Sequence, residues 1–131
     1  MTYRLLTLLL PLTFLMACGD SSNSQGATDD ATAQYQDLSV EEFAGKIGSE
    51  NTILLDVRTP AETANGVIDG AIELDYRSPT FKDELAKLDQ SKTFLVYCAS
   101  GVRSGRTCQM LKAAGVKDVY NLEGGYNAWV E

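Results

Sequence analysis

Short apolar segments alternate with segments of helical spacing through residues 37–131, and this alternation restricts the fold more than any other feature of the chain. Residues 52–57 and 93–97 are almost wholly apolar runs. Apolar runs of this length, without a regular polar alternation, are typical of parallel strands buried on both faces. Because helix-like segments separate them, we predict an α/β fold with a mostly parallel central sheet and helices on both faces.

Local capping patterns predict where two of the helices begin. Ser39 is followed three residues later by Glu42, and Thr59 is followed in the same way by Glu62. Each pair fits a capping box, and Pro60 fits the first position of the second helix. The other predicted elements are short strands at 72–74 and 118–122 and helices at 80–88 and 104–114.

The first residues have the pattern of an export signal. A leucine-rich stretch at residues 5–15 follows one positive charge and is too short to span a bilayer comfortably. It leads into Leu15-Met16-Ala17-Cys18, which resembles a bacterial lipobox. That resemblance implies cleavage before Cys18 and lipidation of its sulfur. Residues 1–17 would then be a lipoprotein signal peptide, and an ordinary secretory signal with a chance cysteine is the alternative.

The segment after Cys18 is polar and has almost nothing to bury. Residues 18–36 are rich in serine, asparagine, glutamine, glycine, alanine, threonine and aspartate, so we expect a disordered tether. The remaining residues, 37–131, suffice for a single domain. We therefore expect an extracytoplasmic domain that a lipid on Cys18 anchors to a bacterial membrane, on the periplasmic side. Gly19 and Asp20 leave the choice between inner and outer membrane open.

Composition excludes several kinds of site. The chain contains no histidine, which excludes Ser-His-Asp and Cys-His catalytic arrangements and histidine metal sites. Its three cysteines, Cys18, Cys98 and Cys108, form no Cys-x-x-Cys pair, so a zinc knuckle or a redox dithiol is not predicted. The net charge of −7 argues against nucleic acid as a partner. We expect no metal, no cofactor and a monomer.

A cysteine stands at the end of the apolar run at 93–97, where a predicted strand gives way to a loop. In parallel α/β sheets, ligands bind beyond the carboxyl ends of the strands. Main-chain N–H groups of a short loop and the guanidinium of Arg103 can converge there on negative charge. We predict that Cys98 carries an anionic sulfur, either a thiolate or a persulfide. The predicted binding loop consists of Ala99, Ser100, Gly101, Val102, Arg103 and Ser104.

Motifs spread over residues 37–131 resemble those of the single-domain rhodanese (sulfurtransferase) family. They are Asp56-Val57-Arg58 with Glu62, Gly66-Val67-Ile68-Asp69-Gly70-Ala71, the loop from Cys98 to Ser104, and Leu122-Glu123-Gly124-Gly125-Tyr126-Asn127-Ala128-Trp129. Their order and spacing imply a rhodanese-like fold. One departure is visible, because the second motif of the family usually carries a histidine where Val67 stands.

The resemblance implies covalent sulfur transfer. The Cys98 thiolate would take a sulfane sulfur from thiosulfate or a persulfide, and its own persulfide would pass that sulfur to cyanide or a thiol in ping-pong fashion. Small sulfur-containing anions and thiols are therefore the expected partners. Cys98 is the expected catalytic residue.

The remaining residues of the motifs are expected to support the loop. Asp56 and Arg58 would form a hydrogen-bonded or ion-paired support behind it, together with Glu62. Gly101 would adopt a backbone angle that turns the amides inward, and Ser104 would cap the following helix. Outside the motifs, Cys108 is expected to pack in the core, and Tyr126 and Trp129 of the closing motif to pack at the edge of the domain.

Two alternatives remain open at this point. Phosphatases and arsenate reductases on a similar scaffold have one more residue between cysteine and arginine, which widens the ring of amides for a tetrahedral oxyanion. Here that longer spacing would place Ser104 where an arginine is needed, so this alternative is weak. A low-turnover persulfide carrier, or a redox-sensing binding module, would contain the same loop.

Overall fold

A single sheet of five parallel strands forms the centre of the computed structural model, which describes residues 34–131. The prediction of an α/β fold is confirmed, and every strand pairing is parallel. The strands are β1 (Gln36–Leu38), β2 (Thr52–Asp56), β3 (Ile72–Glu73), β4 (Thr93–Tyr97) and β5 (Val119–Leu122). The helices are α1 (Val40–Lys46), α2 (Pro60–Thr63), α3 (Phe81–Ala86), α4 (Val102–Ala113) and α5 (Gly125–Trp129).

The strand that leads to Cys98 lies in the middle of the sheet. The spatial order of the strands is β1-β5-β4-β2-β3, so β4 has a neighbour on each side. The last four residues of β4 are buried, because the strand is covered on both faces as well as paired along both edges. The central strand therefore delivers Cys98 to the carboxyl edge of the sheet, where parallel α/β folds place their ligands.

Successive side chains of β4 enter two apolar layers on opposite faces of the sheet. Phe94 and Val96 belong to one layer, which contains apolar residues of α3 and α4. Leu95 and Tyr97 belong to the other layer, which contains apolar residues of α1 and α5. Cys108 packs in the first layer, as predicted. Helices thus cover both faces of the sheet, also as predicted.

The predicted helix starts are confirmed at α1 and α2 and corrected at α4. Ser39 and Thr59 each form a complete capping box with the glutamate three residues later. The prediction that Ser104 caps α4 is wrong. Gly101 occupies the cap position with a left-handed φ of 97°, so the helix begins at Val102 and Ser104 lies within its first turn.

The folded domain begins slightly earlier than residue 37. Gln36 already pairs with Tyr120 of β5, and the partly buried Tyr35 packs against the layer that contains α4. These two residues, assigned to the tether from the sequence, belong to the domain. The predicted signal peptide, Cys18 and the tether up to residue 33 lie outside the described residues. Within residues 34–131, no helix has the length and apolar character needed to cross a membrane.

Candidate functional site

The sulfur of Cys98 accepts hydrogen bonds from the loop that follows it. The main-chain N–H of Gly101 lies 3.1 Å from Sγ, and the hydroxyl Oγ of Ser104 lies 3.3 Å from it. Cys98 is completely buried, with 0% of its surface exposed, whereas the neighbouring Ser100 is exposed. The sulfur therefore lies just beneath the surface, with polar donors directed at it.

These donors change the acidity of the thiol. Burial by itself raises the pKa of Cys98, because it disfavours the charged thiolate. Hydrogen bonds from the Ser104 hydroxyl and from the main-chain N–H groups of Ser104, Ser100 and Gly101 act in the opposite direction and outweigh burial. The net result is a Cys98 pKa below its ordinary value, as is typical of reactive cysteines at the start of a helix.

The loop amides face the sulfur because the preceding carbonyl groups are held on the other side. The N–H of Tyr126 donates to the carbonyl oxygen of Cys98 at 2.7 Å, and the N–H of Asn127 donates to that of Ala99 at 3.1 Å. In a planar trans peptide the carbonyl and the next N–H point in opposite directions. Anchoring the carbonyl of Ala99 on α5 therefore turns the N–H of Ser100 inward.

Gly125 makes this close approach of α5 possible. A Cβ atom at this position would lie 2.5 Å from the carbonyl oxygens of both Cys98 and Ala99, and its φ of 62° is left-handed. Both the space and the backbone angle require glycine. The closing motif is thus a structural part of the sulfur loop, a role that the sequence analysis did not assign to Gly125.

Asn121 of β5 holds the other end of the loop. Its Nδ2 donates to the carbonyl oxygen of Gly101 at 3.3 Å and to Oδ1 of Asp37 in β1 at 2.8 Å. Its own Oδ1 is buried and has no hydrogen-bond partner among residues 34–131. Asn121 was not predicted from the sequence, although it is a polar residue in the otherwise apolar run of β5.

Arg103 is paired with Glu62. Its Nη1 donates to Oε2 of Glu62 at 2.8 Å, and its Nη2 donates to Oε1 at 2.7 Å. The bond to Glu62 is the main cause that raises the pKa of Arg103, and the nearby Cys98 thiolate also contributes. The expectation that Glu62 joins Asp56 and Arg58 is wrong, because its carboxylate faces the loop arginine instead.

Asp56 and Arg58 form a buried ion pair that supports the second motif. Arg58 Nε donates to both carboxylate oxygens of Asp56 at 3.0 Å, and Nη2 donates to Oδ2 at 2.6 Å. Arg58 Nη2 also donates to the carbonyl oxygen of Gly66 at 2.7 Å. Next along the chain, the N–H of Ile68 donates to the hydroxyl oxygen of Tyr97 at 3.0 Å. The structure thus confirms the expected ion pair of Asp56 and Arg58.

The other predicted loop residues do not contact the sulfur through their side chains. Ser100 contributes its main-chain N–H, and Ala99 contributes its anchored carbonyl. Val102 is 59% exposed at the start of α4. Val67, at the position where the family usually has histidine, is also exposed. These residues shape the loop or its surroundings, and the donors come from its backbone and from Ser104.

Cys108 lies in a different chemical environment from Cys98. Both are free thiols, but burial raises the pKa of Cys108 strongly, with smaller contributions from Asp37 and Cys98. Its thiol therefore stays protonated, as expected of a core cysteine. Of the two cysteines among residues 34–131, only Cys98 has a lowered pKa.

Comparison with known proteins agrees with the geometry of this site. The family model described as a rhodanese-like domain matches residues 39–131. A sulfurtransferase of Allochromatium vinosum is 36% identical over 81 residues, which are 62% of this chain and 74% of that protein. The thiosulfate sulfurtransferase GlpE of Shewanella oneidensis is 29% identical over 99 residues, which are 76% of this chain and 96% of that protein.

A solved structure gives the same result. The crystal structure of a rhodanese-like domain protein from Staphylococcus aureus is 34% identical and has a TM-score of 0.63, and the match covers 72% of this chain and 90% of that one. The region that the family model matches, residues 39–131, includes the whole loop that begins at Cys98. The chain therefore belongs to the rhodanese-like family of sulfurtransferase-type enzymes.

Proposed function

We propose that this protein transfers a sulfane sulfur from thiosulfate or a persulfide donor to a nucleophilic acceptor, cyanide or a thiol, through a persulfide on Cys98. One observation supports this proposal above all others. The Cys98 sulfur accepts hydrogen bonds from Gly101 and Ser104, and its pKa lies below the ordinary thiol value. The same donors would stabilise the negative charge of a thiolate and of a persulfide.

The reaction has two half-reactions that balance. In the first, the Cys98 thiolate attacks the outer sulfur of the donor, a new S–S bond forms, and the old S–S or S–SO₃ bond breaks. Its electron pair leaves with the donor, as sulfite from thiosulfate or as a thiolate from a persulfide. In the second, the acceptor attacks the terminal sulfur, and Cys98 leaves as a thiolate. The negative charge lies on Sγ of the thiolate and on the terminal sulfur of the persulfide, and the loop amides would stabilise it in both states.

Burial of Cys98 adds a requirement for access. Since none of its surface is exposed, a donor reaches the sulfur only after neighbouring groups move aside. Ser100 and Val102 are the exposed residues of the loop. We infer that the loop opens on this side when a donor binds.

Intact mass spectrometry tests the proposal directly. Incubation with thiosulfate or with an alkyl persulfide should add the mass of one sulfur atom, and cyanide should remove it with release of thiocyanate. Cys98→Ser should abolish the increment. Cys108→Ser is the matched control, because it removes a buried thiol outside the loop and should keep the increment. An increment that survives in Cys98→Ser but not in Cys108→Ser would overturn the assignment.

The burial of Cys98 also favours a second candidate function, that of a persulfide carrier. A cysteine with no exposed surface suits a persulfide carrier that turns over slowly and releases its sulfur only to a partner that opens the loop. Steady-state assays with thiosulfate and cyanide, and with thiosulfate and a thiol, separate the two. A stable persulfide on Cys98 with negligible turnover would favour the carrier, whereas sustained ping-pong turnover would favour the enzyme.

We also propose that the protein is anchored to a bacterial membrane on the periplasmic side through lipid on Cys18. The support is the sequence Leu15-Met16-Ala17-Cys18 after a leucine-rich segment. Expression of the full chain in a bacterium, followed by fractionation, tests this. The unaltered protein should be in the membrane fraction. The Cys18→Ser variant has no sulfur to lipidate, so it should lack the lipid and differ in mass. Recovery of the unaltered protein and of Cys18→Ser in the same soluble fraction, with no lipid on either, would contradict the proposal.

A further inference from the structure

We propose that Glu62 sets the charge of the sulfur donor that this site accepts, so that low-charge alkyl persulfides are used in preference to the thiosulfate dianion. This inference rests on the proposed sulfur transfer at Cys98 and specifies its donor class. It makes Glu62 a specificity-determining residue that acts through Arg103.

The charges of the two arginines in the motifs are already balanced. Both terminal nitrogens of Arg103 are bonded to the two carboxylate oxygens of Glu62, at 2.8 and 2.7 Å. Arg58 also binds both oxygens of a carboxylate, because its Nε donates to Oδ1 and its Nη2 to Oδ2 of the buried Asp56. Two cations and two anions therefore leave these four side chains with no net charge. The partial positive charge next to the sulfur comes from the hydroxyl of Ser104 and from main-chain N–H groups.

Glu62 is held firmly in this position and in its charged form. Its Oε2 also accepts hydrogen bonds from the N–H of Thr59 at 2.9 Å and from the hydroxyl of Thr59 at 2.8 Å. The bond from Arg103, reinforced by those from Thr59, holds the pKa of Glu62 well below its usual range. Glu62 therefore remains ionised at neutral pH, so protonation of its carboxylate does not release Arg103 at that pH.

This neutralisation affects possible donors unequally. Attack of the Cys98 thiolate on thiosulfate brings a singly charged nucleophile to a dianion, so the encounter is strongly repulsive without a compensating cation. Attack on a protonated alkyl persulfide, R–S–SH, brings the thiolate to a neutral donor. The new Cys98–S bond forms as the S–S bond of the donor breaks, R–S⁻ leaves with the electron pair, and Cys98 carries the transferred –SH group. The like-charge repulsion is absent from this second encounter.

A charge series at positions 62 and 103 tests the inference. We would measure kcat/KM with thiosulfate and with cysteine persulfide for the unaltered protein, Glu62→Gln, Arg103→Gln and the double variant. Glutamine can still accept from Thr59 in a capping box, so α2 keeps its start in the Glu62→Gln variant. Glu50→Gln is the matched control, because it removes the same charge just before the amino end of β2, at the opposite edge of the sheet.

The expected result is a change in the ratio of the two kcat/KM values. Glu62→Gln should raise the thiosulfate-to-persulfide ratio by about tenfold and make the thiosulfate rate fall more steeply with added salt. Arg103→Gln should lower the ratio, and the double variant should bring it back near its starting value. Glu50→Gln should leave it unchanged.

The outcomes separate this inference from the proposed function. If both donors transfer sulfur through Cys98 but the ratio is the same in Glu62→Gln and in the unaltered protein, the charge role of Glu62 is wrong and the proposed function stands. If neither donor forms a persulfide on Cys98 in any of these proteins, the proposed function itself fails. Melting temperatures of all variants identify any that are unfolded, and Arg103→Gln still gives the opposite shift if Glu62→Gln does not fold.

Discussion

The guanidinium carbon of Arg58 lies 4.0 Å from the centre of the Tyr126 ring, so the ion pair after β2 contacts the segment that anchors the sulfur loop. Tyr126 in turn donates its N–H to the carbonyl oxygen of Cys98. The chain of contacts from Asp56 through Arg58 and Tyr126 to Cys98 joins three of the sequence motifs. It explains how residues remote from the sulfur can fix the direction of the loop.

Asp56→Asn should strongly destabilise the domain. The substitution leaves the guanidinium of Arg58 buried without its carboxylate, and breaking a buried ion pair in this way costs about 3–5 kcal/mol. Urea unfolding measures the change in free energy. Asp83→Asn, on an exposed position of α3, is the control and should cost little. A loss below about 1 kcal/mol in Asp56→Asn would show that the pair is not a major support.

Gly125→Ala should disrupt the sulfur loop as well as reduce stability. Its Cβ would meet two carbonyl oxygens at 2.5 Å, so α5 would have to move away and release the carbonyls of Cys98 and Ala99. The loop N–H groups would then no longer face the sulfur, so we expect the pKa of Cys98 to rise, its alkylation by iodoacetamide to shift to higher pH, and the melting temperature to fall. Gly45→Ala is the matched control, because a Cβ there has nothing within 4 Å. Equal alkylation rates in the two variants would contradict this account.

Ser104→Ala should shift the reactivity of Cys98 to higher pH. The lost hydroxyl is one of the donors that lower the pKa of Cys98, so its removal raises that pKa and reduces the thiolate fraction at any pH below it. The pH dependence of alkylation measures the shift. Ser100→Ala is the control, because it keeps the main-chain N–H and should leave the profile unchanged. An unshifted profile in Ser104→Ala would exclude the hydroxyl as a significant donor.

The lowered pKa of Cys98 also predicts how the stability of the folded domain depends on pH. Because the folded pKa of Cys98 lies below the ordinary thiol value, the thiolate stabilises the folded state fully only above the ordinary value. This stabilisation is lost as pH falls through the folded pKa. Cys98→Ser should therefore remove this part of the pH dependence of unfolding.

Asn121→Ala should loosen the start of α4. The substitution removes the bonds from Nδ2 to the carbonyl of Gly101 and to Asp37, and we expect a loss of about 1–3 kcal/mol. The pKa of Cys98 should rise, because the N–H of Gly101 is less well positioned. Alkylation profiles and urea unfolding measure both effects, with the exposed Asn65→Ala as control. A change in stability without any change in pKa would mean that Asn121 supports the fold alone.

Strands β2 to β5, the starts of α1 and α2 and the loop were predictable because local rules govern them, whereas β1 was not predicted. Buried parallel strands show as apolar runs, and the capping boxes of Ser39 and Thr59 need only residues a single turn apart. Gly101 was likewise predictable from its place between a cysteine and a helix, and its φ of 97° confirms the expected backbone angle.

The partners of the polar side chains were not predictable in the same way. Glu62 lies 41 residues from Arg103, and Asn121 lies 84 residues from Asp37, so only the folded topology brings them together. Local spacing suggested that Glu62 would join Asp56 and Arg58, which are closer to it in sequence. Ser104 was misassigned for a related reason, since the helix start depends on the left-handed turn at Gly101 three residues earlier.

The position of β1 has a consequence for the order in which the domain is built. Within residues 34–131, β1 is the first strand and pairs only with β5, the last strand there, and it supplies Asp37 to Asn121. Pairings between such distant segments form late, because the entropy of closing a long loop opposes them. During synthesis, the sulfur loop therefore stays incomplete until β5 and α5 have been made, because α5 holds the carbonyls of Cys98 and Ala99 and β5 holds that of Gly101.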